Sequence, residues 1–354
     1  MKALIISLNF HPGHVSHMVA SYKQCEELGY KSTYFVDPEF ESYLPHNSRM
    51  LLNGRHSCPV TDIAIFLFPS QKNLPLIWKM KRKGVRVVYI FHEPLSPMSD
   101  YRKAGFSYKY LAKLWVINRI SQLTVKWSDL ILLPSRKAVD FYEKNPLYKN
   151  RNYHYLPLMY DDERRKRHEL LPRIYFSYIG TIAADHSFGE FLNFAEWAIR
   201  ENRMPEFKFL IATKSSFTVP DILKDSQRIT IQQGKPLTDE EINAYYASTI
   251  VVWNAYARTT QSGVLAKSFM FGTPAIVLRK NCNEFAHDGI EIKAIEDNTN
   301  KDEIAAAIVE VKKDFMAYSS NCRKRFEESF YYRKYNEQFR EYIKDQALEA
   351  LLCQ

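Results

Sequence analysis

Arg258-Thr-Thr-Gln-Ser-Gly-Val-Leu-Ala-Lys-Ser-Phe-Met-Phe-Gly-Thr-Pro-Ala-Ile-Val277 is the stretch whose reading decides the fold. It follows Ile250-Val-Val-Trp253, an apolar run of β-branched and aromatic residues that reads as a buried strand. Thr260, Gln261, Ser262 and Gly263 are small or polar, as a loop and a helix start should be. Val264, Leu265, Ser268 and Phe269 then recur at helical spacing. Gly272-Thr-Pro274 stops the helix, and Ala275-Ile-Val-Leu278 reads as the next buried strand. A β-α-β unit of this kind sets the N–H groups of a helix's first turn, and the positive end of its dipole, at a small-residue turn. That setting suits a phosphate. The same residues also fit an ordinary helix N-cap in an α/β sheet.

The alternation extends outward in both directions. Upstream, Ile174-Tyr-Phe-Ser-Tyr-Ile-Gly180, Phe207-Lys-Phe-Leu-Ile-Ala212 and Arg228-Ile-Thr-Ile231 read as strands, and Thr238 with Glu241 forms a capping box before a helix. The charged run Asp161-Asp-Glu-Arg-Arg-Lys-Arg-His168, bounded by Pro172, reads as a linker. The first half opens in the same way, with strand Leu4–Phe10, turn His11-Pro-Gly-His14, a helix from His17 to Leu28, and strand Ser32–Val36. Asp62–Phe68 and Val85–Phe91 are further strands, and the second of these delivers His92-Glu-Pro94 at its C-terminal end. Strand ends of that polarity face ligands in open α/β sheets. His92 also fits a capping histidine at a loop start. His11, His14 and His17 lie within seven residues but have no carboxylate or cysteine beside them, which argues against a metal centre. Downstream, Asp302–Ile308 and Cys322–Leu351 read as helices, the latter with Phe326, Phe330, Tyr335 and Phe339 inward.

Size and composition set bounds on function. A length of 354 residues has room for two domains, and fractions of 46% hydrophobic and 25% charged residues are those of a soluble globular chain. No apolar run reaches the roughly 20 residues of a membrane span. Met1–Phe10 reads as a first strand and not a signal peptide. The five cysteines, Cys25, Cys58, Cys282, Cys322 and Cys353, form no Cys-x-x-Cys, which fits reduced cytoplasmic thiols and no structural zinc. A net charge of +9 calls for an anionic ligand or surface. The passage from Tyr101 to Trp127 interleaves lysine, arginine, tyrosine and tryptophan on amphipathic helices. It fits a solvated face over a core stripe, or an anionic membrane surface. No nucleic-acid-binding motif is present.

Ser262-Gly-Val-Leu265, followed by Phe271-Gly-Thr-Pro274-Ala-Ile-Val277, resembles the nucleotide-sugar segment of GT-B glycosyltransferases, particularly the retaining group of the glycosyltransferase family 4 kind. The resemblance implies an α/β fold of two Rossmann-like domains facing a central cleft, with a C-terminal helix crossing back to the N-terminal domain. The expected divisions are 1–165 for the acceptor, 166–325 for the nucleotide sugar, and 326–354 for the returning helix. It implies that Arg258, Gln261, Ser262, Gly263, Val264 and Lys267 hold the donor diphosphate. Gly180, Thr181, Asn254 and Glu284 would lie near the donor's sugar and nucleoside, and His11, Gly13, His14 and Glu93 in the acceptor-side loop. His92 would face the transferred sugar. The expected partners are a nucleotide-sugar donor, a saccharide or lipid-linked saccharide acceptor, and an anionic membrane surface on the cytoplasmic side.

The chain departs from the family pattern in two places. The arginine and lysine that usually hold the diphosphate become, by position, Thr181 and His186. A pair of glutamates eight residues apart becomes Thr259 and Lys267, so Arg258 or Lys267 is the expected substitute cation, with a solvated lysine as the alternative for Lys267. No Asp-x-Asp motif lies in a suitable loop, which implies neither a cofactor nor a divalent metal. A nucleotide-sugar epimerase of the same fold and a non-catalytic sugar-binding relative are the alternatives.

Overall fold

A computed structural model describes residues 1–10, 12–51, 59–68, 70–92, 94–95, 98–103, 107–148, 152–183, 185–257 and 262–343. The chain divides into two compact units, Met1–Asp161 with Tyr331–Gln354, and Asp162–Phe330.

The first unit is built on a parallel sheet. Its strands are β1 (Lys2–Ser7), β2 (Lys31–Val36), β3 (Arg49–Leu51), β4 (Ile63–Phe66), β5 (Arg86–Ile90), β6 (Leu130–Leu133) and β7 (Tyr153–Tyr155), in the order 3-2-1-4-5-6-7. The helices are α1 (Val15–Glu27), α2 (Asn73–Arg82), α3 (Met98–Lys103), α4 (Tyr108–Trp127) and α5 (Arg136–Lys144). The strands are continuous apolar runs, such as Leu130-Ile-Leu-Leu133, because a parallel sheet is covered on both faces. Phe35, Phe66, Tyr89 and Phe91 are fully buried among them. Burial of this kind contributes about 1.5–3 kcal/mol for each large side chain.

The second unit repeats the plan with β8 (Tyr175–Ile179), β9 (Lys208–Ala212), β10 (Ile229–Gln232), β11 (Thr249–Trp253), β12 (Ala275–Leu278) and β13 (Ile292–Ile295), in the order 10-9-8-11-12-13. Its helices are α6 (Lys166–Glu169), α7 (Phe188–Arg200), α8 (Asp221–Lys224), α9 (Asp239–Ala247), α10 (Gly263–Met270), α11 (Lys301–Lys313) and α12 (Phe315–Ser329). Trp253, Phe176, Phe191 and Phe194 form an edge-to-face aromatic centre between sheet and helices. The capping box at Thr238 and Glu241 is formed as read.

Both sheets follow the doubly wound strand order, which reverses direction between the first strand and the fourth. The reversal falls between β1 and β4 in one unit and between β8 and β11 in the other.

Two features differ from the sequence reading. The final helix from Cys322 to Leu351 is not continuous: α12 ends at Ser329, Tyr331 leaves the helix to bridge Tyr160, and a helical stretch resumes at 336–343. Phe326 and Phe330 belong to the second unit, while Phe339 lies in the first. The segment after Tyr331 is tied to the first unit, where the Glu27 carboxylate accepts from the Tyr332 hydroxyl (2.6 Å), the Arg333 guanidinium (2.9 Å) and the Asn336 amide (2.7 Å). Further along, Arg86 donates to the Tyr342 carbonyl at 2.9 Å. The run 161–168 is also more than a solvated linker. Asp161 pairs with Lys23 in the first unit and Asp162 with Arg323 in the second, and His168 is buried.

Candidate active site

In the second unit the site begins at the switch point. β8 ends in Gly180, whose φ of +148° lies outside the region that side chains favour. A Cβ there would sit 3.6 Å from Val264 Cγ2 and 3.8 Å from the Tyr256 hydroxyl, which puts the end of β8 directly against the start of α10. β11 runs into Asn254, whose backbone N–H donates to Ile276 O at 2.9 Å and whose side-chain amide donates to Ser262 Oγ at 2.7 Å. Ser262 is the N-cap of α10, and its Oγ also accepts from Leu265 N at 3.3 Å. With Oγ accepting from both Asn254 and Leu265, the hydroxyl's remaining polarity is one O–H donor, which is what a phosphate oxygen needs. Gly263 and Val264 form the first turn of the helix beside it.

The loop after β8 completes this group. His186 stacks flat on Tyr256, with ring centroids 4.3 Å apart. His186 Nδ1 lies 2.7 Å from the Thr181 carbonyl, the geometry of an Nδ1–H donor, which leaves Nε2 as the nitrogen directed elsewhere. Asp185 Oδ1 is 3.9 Å from Nε2. Burial, and then the Asp185 charge, hold the Tyr256 phenol well above its usual range, so it stays a neutral donor. Gly180, Thr181, Asn254, Ser262 and Val264 therefore lie close together, and Tyr256 joins them. No local pattern marks Tyr256. Its position follows from the adjacency of β8 and β11, which only the sheet order reveals.

Lys267 is placed differently from either reading of it. It is buried, with Nζ 2.5 Å from Glu163 Oε2, and the same carboxylate oxygen accepts from the Asn243 amide at 3.0 Å. Asp239 lies in the same field, where burial raises its carboxyl and Lys267 lowers it. Lys267 is thus neither solvated nor a spare cation, since its charge is balanced by Glu163. Glu284 is half-buried in the loop before β13, next to Phe285. Arg258, Gln261 and Thr259 lie outside the described residues, as do His11 and Glu93.

In the first unit the switch point is lined by rings. His92 follows Phe91 at the end of β5, is half-buried, and has a buried Nδ1 without a hydrogen-bond partner among the described residues. Its ring lies 6.0 Å from Phe68 and 6.4 Å, edge-on, from His17. His14 stacks on Phe68, and Gly13 is exposed beside it. His17 is a structural residue: Nδ1 is 3.1 Å from the Met159 carbonyl and Nε2 3.3 Å from the Tyr160 hydroxyl. The Met159 carbonyl calls for an Nδ1–H donor, and both ring nitrogens are engaged within the unit, which gives His17 a packing role there. Among the described residues the cysteines do not offer a nucleophile either. Burial, with a smaller contribution from Glu26, pushes the Cys25 thiol up to about 12, and burial also raises Cys322.

No family model matches the sequence, and no curated protein matches it. Solved structures do match the fold. The sucrose-phosphate synthase of Thermosynechococcus elongatus superposes with a TM-score of 0.70 at 11% identity, over 99% of this chain and 100% of that one. Anabaena HepE in complex with UDP and glucose gives 0.70 at 12% identity, over 98% and 100%. The pneumococcal O-GlcNAc transferase GtfA in complex with UDP and GlcNAc gives 0.66 at 10% identity, over 98% and 99%. Over nearly its whole length, this chain has the two-domain GT-B fold that these glycosyltransferases share.

Proposed function

We propose that the protein transfers a sugar from a nucleoside diphosphate sugar to a saccharide or lipid-linked saccharide acceptor, as a retaining enzyme of the glycosyltransferase family 4 kind. The observation that carries this reading is the Ser262-capped start of α10, braced by Asn254 and placed against Gly180 at the switch point. The fold match supports it. HepE and GtfA were both solved with UDP, so uridine is the first base to test.

In this reading the donor diphosphate sits on the first-turn N–H groups of α10 and the Ser262 hydroxyl. As the glycosidic bond breaks, negative charge grows on the departing diphosphate, and fixed donors there stabilise it. A single such donor contributes about 3–4 kcal/mol to a transition state. Because Lys267 is paired with Glu163, the balancing cation is Arg258, and His186 Nε2, at a position where the family has a cationic side chain, adds a polar contact. His92 positions the transferred sugar. The reading routes no step through a divalent cation, so EDTA should leave turnover unchanged. A bacterial surface polysaccharide is the product class that suits a lipid-linked acceptor.

The direct test is a thermal-shift panel of UDP, GDP and ADP, followed by donor hydrolysis without acceptor. One nucleoside diphosphate should stabilise the protein and its sugar ester should hydrolyse slowly. Binding without any turnover would favour the non-catalytic relative, a reading to which the absent glutamate pair and the neutralised Lys267 lend weight.

A further inference from the structure

We infer that α4 docks the protein on an anionic lipid surface through an outward stripe of Tyr108, Trp115, Val116, Arg119, Leu123 and Lys126. This reaches beyond the proposed chemistry and does not depend on it.

The first observation is that α4 packs one face inward and carries large apolar side chains on the other. Leu114, Asn118, Ser121, Thr124 and Val125 are buried and hold the helix to the sheet. On the opposite side Tyr108 is 81% exposed, Trp115 53%, Val116 50% and Leu123 39%. At 3.6 residues per turn these four share one face with Arg119 and Lys126. A helix on a soluble surface normally turns charged residues outward, so a run of large apolar side chains there marks an interaction surface.

The second observation is charge. The 20 residues of α4 contain no aspartate or glutamate. Residues 70–127 hold twelve lysines and arginines against two acidic residues, a surplus of ten, whereas the whole chain has a surplus of nine. Lys72 and Lys81 pair with Asp37 and Asp129 from outside the segment, and the remaining cations still leave it strongly positive. The Arg119 guanidinium lies over the Trp115 ring, 5.3 Å from its centroid. The adjoining helix α2 repeats the pairing, with Arg82 4.0 Å from the ring of Trp78, itself 45% exposed. Tryptophan at the boundary, with arginine beside it, is the combination that seats a helix in the plane of phosphate head groups. A second copy is a poor occupant, since a symmetric contact would press this cationic face against itself.

Co-sedimentation of the full-length protein, without nucleotide, tests the inference with vesicles of phosphatidylcholine alone and with about 30% phosphatidylglycerol added. The protein should pellet with the anionic vesicles, stay in solution with the neutral ones, and be released as salt rises. Each cation removed should weaken partitioning about fivefold, so Arg119→Gln with Lys126→Gln should weaken it roughly 25-fold. Trp115→Ala should weaken it roughly tenfold or more. All these positions are exposed, and the melting temperature should not move. Failure to pellet with anionic vesicles would overturn the inference, as would unchanged partitioning of both variants. A fall in the sedimentation coefficient of the vesicle-free protein on Trp115→Ala would also overturn it, showing the face to be covered by a second copy.

Discussion

The two switch points share a topology and differ in chemistry. In the second unit α10 begins with a serine cap, and a buried asparagine holds the cap in place. In the first unit α1 begins at His14 in helical conformation, with no side-chain cap, beneath a stack of His14 on Phe68. One end offers N–H and O–H donors, and the other offers ring faces and a buried imidazole nitrogen. The same strand order therefore carries different chemistry at its two switch points: hydrogen-bond donors at one, and ring faces with an imidazole at the other. Topology selects where a ligand goes, and the residues that fill the helix start select which part of it binds there.

The largest predicted effect tests whether α10 is held by its own ion pair. Lys267→Met strands Glu163 in a largely buried setting and should destabilise the protein by about 3–5 kcal/mol, read by chemical denaturation. Glu163→Gln combined with Lys267→Met should recover part of that loss. If Lys267→Met instead leaves stability unchanged and abolishes nucleotide affinity, Lys267 is a ligand contact and its placement here is wrong.

The next prediction separates the two ends. His92→Ala should lower turnover about a hundredfold while leaving nucleoside diphosphate affinity intact, by calorimetry and initial rates on one preparation. Equal losses in both would collapse the distinction between a phosphate end and a sugar end. A smaller effect is expected at the turn. Gly180→Ala should cost about 1–2 kcal/mol, because φ +148° is strained for alanine although space is available for the methyl group.

The smallest effect concerns the returning segment of the first unit. Burial alone would raise the Glu27 carboxyl, but hydrogen bonds from Tyr332, Asn336 and Arg333 hold it below its ordinary value. A carboxyl depressed in the folded state contributes fully above its unfolded value, and the contribution is lost as pH falls through the folded one. Amide exchange across 336–343 should therefore quicken at acid pH, beyond its intrinsic pH dependence. Glu27→Gln should reproduce that loosening at neutral pH. Protection that is independent of both would show that Phe339 and Ile343 alone hold the segment.

Much of this was legible in the chain. Ser262-Gly and Gly272-Thr-Pro274 are local signals, since a cap and a stop act on adjacent backbone, and α10 falls between them. The strands were legible because both faces are buried and the apolar runs are unbroken. The role of His17 was not, because its partners Met159 and Tyr160 arrive from the far end of the unit. Lys267 was misread for the same reason, its partner Glu163 being distant in sequence. The break after Ser329 was hidden because neither glycine nor proline marks it. The apolar spacing runs on through Phe326, Phe330 and Phe339 while the chain changes from one core to the other.

The most direct measurement compares, by calorimetry, the best-binding of UDP, GDP and ADP with its own nucleoside, in the native protein and in Ser262→Ala. A diphosphate seated at the start of α10 predicts that the native protein prefers the diphosphate strongly, and that Ser262→Ala erases about tenfold of that preference while nucleoside affinity holds. Equal affinity for diphosphate and nucleoside in the native protein, or a preference untouched by Ser262→Ala, would contradict it.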